Sequence, residues 1–141
     1  MAKRHQKFSY RSGLEARIAE ELNKKKTVYS FEPKDGKIDY TVPESYHTYT
    51  PDFVIKTKSG KQIIVESKGI WDYEDRYKHL LIRQQHPDLD IRFVFSRSKQ
   101  RIRKGSATTY ATICDGLGRA PFRGVKWQYA DKLIPNEWLE E

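Results

Sequence analysis

The sequence predicts an α/β chain: a mixed central sheet flanked by helices. Three observations predict it. Amphipathic helical stretches alternate with short β-branched and aromatic runs, in the order helix, strands, helix, strand, helix, strand. Gly, Pro and Asp turn residues separate these runs. The chain has 141 residues, 37% of them hydrophobic and 13% aromatic, which suits one domain with a real core.

Residues 1–10 carry Lys3, Arg4, His5 and Lys7 and no acid. They read as a flexible basic arm, with Lys3, Arg4 and Lys7 as candidate phosphate contacts. Residues 11–141 form the folded domain. A helix starts at Ser12, because Leu14, Ile18 and Leu22 recur at helical spacing. Ser12 is a good N-cap and Glu15 follows at the capping-box position. A helical wheel puts Glu15 at the margin of the apolar stripe, where its carboxylate needs a partner. Lys24, Lys25 and Lys26 suit the helix C-terminus. Residues 29–50 read as extended, interrupted by Pro33, Asp35-Gly36 and Pro43. His47 is assigned to packing or hydrogen bonding.

Thr50–Ile55 and Ile63–Gly69 read as a hairpin closed by Lys58-Ser59-Gly60-Lys61. Strand alternation sends Glu66 and Lys68 to one face, and Ile63 and Val65 to the other, toward a core. Asp52 opens the neighbouring strand, within reach of both. A second helix follows, N-capped by Asp72, with Asp75 in its first turn. Arg76, His79 and Arg83 share one side of it: either a solvated basic face or phosphate contacts. His86-Pro87-Asp88 ends the helix. Ile91–Ser96 is a strand. Lys99, Arg101, Arg103 and Lys104 follow without an acidic neighbour, which suits DNA backbone binding. Tyr110–Leu117 reads as a short helix with Cys114 packed inside, Val125–Ala130 as the last strand, and Pro135–Leu139 as a closing turn anchored by Trp138.

A net charge of +8 points to a polyanionic partner, nucleic acid first. No apolar run is long enough to span a bilayer, and the N-terminus lacks the apolar core of a signal peptide. Cys114 is the single cysteine, so an intrachain disulfide and a cysteine-based zinc site are excluded, as suits a reducing cytoplasm. There is no P-loop and no Gly-x-Ser-x-Gly elbow. A lone Glu-x-Lys is ordinarily an ion pair at a strand end. Here Pro51-Asp52, the apolar run before Glu66 and the basic chain favour metal-assisted phosphodiester hydrolysis. Carboxylates are hard oxygen ligands for Mg²⁺ or Mn²⁺. Such an ion activates water and neutralises charge on the phosphate. Lys68 orients the water or stabilises the transition state.

Pro51-Asp52 followed by Glu66-Ser67-Lys68 resembles the PD-(D/E)xK signature of restriction-endonuclease-like nucleases. A tighter match surrounds it. Arg11-Ser12-Gly13-Leu14-Glu15, His47–Phe53, Val65–Gly69, Lys78–Arg83 and Ala130–Pro135 resemble, in order, the endonuclease I family, the Holliday-junction resolvases of T-seven-like phages. The resemblance implies a restriction-endonuclease-like sheet in a strand-exchanged homodimer, with residues 29–50 bridging the subunits. It implies a structure-selective DNA endonuclease that resolves four-way junctions and branched DNA, with Arg11 among its DNA contacts. Asp52 and Glu66 would be metal ligands, with the Ser67 backbone carbonyl as a third. Glu15 would hold a second metal or position water, supplied by one chain to the site of the other. Two Mg²⁺ ions per site, replaceable by Mn²⁺, would serve with Lys68 in the host cytoplasm. No membrane and no small-molecule cofactor is implied. Another nuclease of the same signature and a non-catalytic DNA-binding protein are the alternatives. The chain departs from the family at Ser67, where a threonine is usual, and in ending at Glu140-Glu141 without a basic extension.

Overall fold

Leu14, Ile18, Ala19 and Leu22 bury one stripe of α1 (Gly13–Lys24), the helix their spacing calls for. This computed structural model describes residues 10–42 and 45–141, so the expected contacts at Lys3, Arg4 and Lys7 and the break at Pro43 fall outside it. The Ser12 hydroxyl caps α1 by accepting the Glu15 N–H at 3.1 Å. The return half of the capping box is displaced by one residue: the Glu15 carboxylate accepts the Arg11 N–H at 2.9 Å.

Five strands form the main sheet, in the order β1 (Val28–Phe31), β4 (Phe53–Lys56), β5 (Gln62–Lys68), β6 (Ile91–Phe95) and β7 (Tyr129–Asp131). The first two pairings are antiparallel and the last two parallel. The β4–β5 hairpin has the expected register, with Phe53 opposite Val65 and Lys56 opposite Gln62. Its turn passes through Gly60 at φ +91°, a left-handed conformation that glycine adopts without a Cβ clash. The helices α2 (Tyr73–Gln85) and α3 (Tyr110–Cys114) make the crossovers that parallel pairing requires. The short α4 (Asn136–Leu139) closes the chain, with Trp138 and Leu139 buried.

Both faces of the sheet are covered. On one, Ile63, Val65 and Val94 pack against Leu14, Ile18 and Leu22 of α1 and against Trp138. On the other, Ile64 and Ile91 meet Leu81 and Ile82 of α2, beside an aromatic cluster of Trp71, Phe93, Phe95, Tyr110 and Trp127. All five residues of β6 are buried, as an interior strand with two covered faces demands. Residues 63–66 are therefore buried on both faces, where simple alternation had put only Ile63 and Val65 in a core.

One expectation gains detail and two change. The described part of residues 29–50 is largely extended, as expected, but as three strands interrupted by a helical turn at Lys34–Gly36. Val28–Phe31 joins the sheet, and β2 (Ile38–Val42) pairs antiparallel with β3 (Ser45–Tyr49). This small hairpin lies on α2, where the Gln85 side chain exchanges two 2.6 Å hydrogen bonds with the Thr41 backbone. The last strand is Tyr129–Asp131, shorter and later than Val125–Ala130, because Lys126 bridges to Asp115 and the Trp127 N–H goes to the Cys114 carbonyl. The helix expected over Tyr110–Leu117 stops at Cys114, two residues before Gly116 turns the chain at φ +77°. No helix among the described residues is long and apolar enough to cross a membrane.

Candidate active site

Asp52 stands just before β4, beside Glu15 of α1. Its carboxylate oxygen Oδ2 accepts the Ser67 N–H at 3.0 Å and the Ser67 hydroxyl at 2.9 Å. These bonds tie the start of β4 to the end of β5. The side chain is 8% exposed, and Glu15 from α1 is 7% exposed beside it. Glu15, Asp52 and Glu32 each offer one carboxylate oxygen, and these atoms lie within 4.8 Å of one another. An all-oxygen donor set of this kind fits a hard cation such as Mg²⁺ or Mn²⁺. A single chain supplies all three.

Glu32 is the residue that the sequence reading missed. It follows β1 at φ +42°, a left-handed conformation uncommon outside glycine, and its N–H donates to the Asp52 carbonyl at 3.0 Å. Its carboxylate also pairs with the Arg11 guanidinium. The available signal was an acid set between a strand ending in Phe31 and the break at Pro33.

Glu66 and Lys68 lie on the opposite face of β5, toward α2. Glu66 is 2% exposed and is not one of the three carboxylates whose oxygens lie within 4.8 Å of one another. Its Oε1 accepts the Tyr49 hydroxyl and, at 3.1 Å, the Asp52 N–H, so its link to Asp52 runs through the backbone. Burial, reinforced by the Asp52 charge, pushes its carboxyl up to about 8. The Lys68 ammonium sits 3.9 Å from Glu66 but 2.7 Å from Asp75 of α2. Burial works to lower the Lys68 pKa, and the Glu66 and Asp75 charges outweigh it, so the amine is raised and stays cationic.

The expected DNA contacts divide by burial. Arg76 and His79 are both buried in the single chain. Arg76 turns its guanidinium onto the Trp71 carbonyl at 2.5 Å. His79 is 0% exposed, edge-on to the rings of Tyr49 and Phe93, and burial drives its pKa well below the ordinary value, so the ring is neutral. A helical wheel does not reveal that this side of α2 packs against aromatic rings. Arg83 is exposed, with its guanidinium 5.7 Å from the Trp127 ring centroid. Lys99, Arg101, Arg103 and Lys104 are exposed on the segment leaving β6. Arg11 is exposed while it pairs with Glu32. His47 lies at the surface, hydrogen-bonded to Ser45 at 2.9 Å. Cys114 is buried, which raises its thiol pKa, as suits a packing role.

The family model described as Phage endonuclease I matches residues 1–141 of this chain. Endonuclease I of Escherichia phage T7 is 46% identical over 133 residues, covering 94% of this chain and 80% of that protein. Endodeoxyribonuclease 1 of Enterobacteria phage T3 is 44% identical over 133 residues, covering 94% of this chain and 78% of that protein.

Proposed function

The chain belongs to the phage endonuclease I family and is an endonuclease, and from that premise we propose that it cuts four-way junctions and other branched DNA by metal-dependent phosphodiester hydrolysis. The observation that carries the reading is the meeting of Glu15, Glu32 and Asp52 oxygens within 4.8 Å, in a chain of net charge +8. Asp52, Glu15 and Glu66 are proposed to hold Mg²⁺, with the Ser67 carbonyl and with Glu32 added to the set. The bound cation supplies Lewis acidity toward the phosphate and lowers the pKa of water. Asp52 is pre-oriented for this by its two bonds from Ser67. Glu66 is oriented by Tyr49 and would have to be ionised to serve as a cation ligand. The Lys68 ammonium stabilises charge that builds on the phosphate.

Branch selectivity is assigned to shape and charge rather than to base contacts: Lys99, Arg101, Arg103, Lys104, Arg83 and Arg11 track phosphates. The working form is proposed to be a homodimer of restriction-endonuclease-like subunits in the host cytoplasm. Two symmetric incisions suit a two-fold assembly. Exchange of residues 29–50 between subunits would repeat, between protomers, the contacts that one chain makes within itself.

The test uses a labelled four-way junction and a linear duplex of the same sequence, each with and without Mg²⁺. Paired nicks in the junction alone, and only with the cation, are expected. Sequence-specific cutting of the duplex would instead indicate a restriction-type relative. Binding without cutting would indicate a protein that keeps the fold and has lost the chemistry.

A further inference from the structure

We propose that Asp75, in the first turn of α2, is a positioning residue that holds the Lys68 ammonium over the active site. The inference rests on the nuclease reading above, and it assigns a role to a residue that the family motif does not contain. Lysine carries its charge on a flexible four-carbon stem, and an amine of this kind needs a partner to hold one geometry. The nearest carboxylate is not its strand neighbour Glu66, at 3.9 Å, but Asp75, at 2.7 Å. Asp75 is itself fixed. Its N–H donates to the Asp72 N-cap carboxylate at 2.9 Å, so the start of the helix sets its place.

On its far side Asp75 Oδ1 lies 3.8 Å from Nε2 of His79. The buried His79 ring has no hydrogen-bond partner at either nitrogen among the described residues, and it is neutral. Asp75 therefore spends its charge on Lys68. The arrangement also draws the amine closer to Asp75, at 2.7 Å, than to Glu66, at 3.9 Å, a carboxylate proposed to hold the cation. Without Asp75, the closest acid left to Lys68 is Glu66. An ammonium settled there would compete with Mg²⁺ for that ligand.

The test compares wild type with Asp75→Asn, which keeps size and helix-start chemistry but removes the charge, and with Asp75→Glu, which restores the charge on a longer arm. Single-turnover cleavage of a four-way junction at saturating protein is expected to fall about 10–100-fold in Asp75→Asn. Junction affinity should hold, and Asp75→Glu should recover part of the rate. In a Lys68→Ala background the Asp75→Asn change should have no further effect, because the residue acts through that amine. An equal loss in both backgrounds would overturn the proposal, as would an unchanged rate per folded molecule with a lowered melting temperature. Nitrogen relaxation of the Lys68 ammonium gives a readout independent of cleavage: restricted in wild type, mobile in Asp75→Asn. Equal order in the two proteins would overturn the clamp whatever the rates. A wild-type protein that cuts no DNA, yet whose ammonium loosens in the variant, would sink the nuclease reading and leave the clamp standing.

Discussion

Replacing Glu66 with Gln should make the metal-free protein more stable at alkaline pH and remove a pH dependence that wild type has. The Glu66 carboxyl is 2% exposed, and its pKa is raised from 4.5 to about 8 by burial and then by the Asp52 charge. A carboxyl with a raised folded-state pKa binds its proton more tightly when folded. Its contribution is complete below the unfolded value of about 4.5 and is lost as pH rises through about 8. Each pH unit in that window corresponds to about 1.4 kcal/mol, so roughly 4 kcal/mol should disappear between about pH 5 and about pH 8. Gln keeps the shape and can still accept from Tyr49 and from the Asp52 N–H, but it does not titrate. Urea melts in EDTA at several pH values give the difference between wild type and Glu66→Gln. Subtraction removes the opposing contribution of His79, whose depressed pKa makes stability fall as pH drops. The difference should change by those few kcal/mol in favour of the variant as pH rises. A difference constant to within about 1 kcal/mol would mean that Lys68 already holds Glu66 ionised in the free protein, and the reasoning would fail.

Further outcomes follow from the same geometry. Asp52→Asn should reduce Mg²⁺-dependent junction cleavage by more than the roughly hundredfold typical of groups that only support a metal ligand, measured in single turnover. Glu32→Gln should raise the Mg²⁺ concentration needed for half-maximal cleavage about tenfold while junction affinity in EDTA holds. Changing Lys99, Arg101, Arg103 and Lys104 together to Gln should lower the slope of log affinity against log salt by about one for each cation that meets a phosphate, read by gel shift at several salt concentrations. Arg92→Ala should cost roughly 3 kcal/mol in urea unfolding. Its guanidinium is almost wholly buried, pairs with Asp90 at 2.8 Å and Glu141 at 2.5 Å, and lies 5.3 Å from the Trp138 ring centroid.

The parts of this molecule legible in sequence are those where local pattern and burial agree. Leu14, Ile18 and Leu22 announce α1, Gly60 announces the β4–β5 turn, and Pro51-Asp52 marks the strand start that carries the central carboxylate. What escaped depends on contacts between distant segments. Glu32 reaches Asp52 only because β1 lies beside β4, and Asp75 reaches Lys68 only because α2 folds back over the end of β5. Arg76 and His79 escaped for another reason: a helix wheel shows which residues share a side, not whether that side meets water or a wall of aromatic rings. The site itself follows from the pleat. Ser67 turns to the carboxylates on the α1 face, and Lys68, the next residue, turns to Asp75 on the α2 face. Since side-chain direction reverses at every residue, slipping β5 by one position against β4 and β6 would exchange these two assignments. It would also drive Glu66 into the apolar cluster around Ile63 and Val65. The register that builds the core therefore fixes the chemistry too: the apolar residues of β5, buried on both faces, hold Ser67 and Lys68 to opposite tasks.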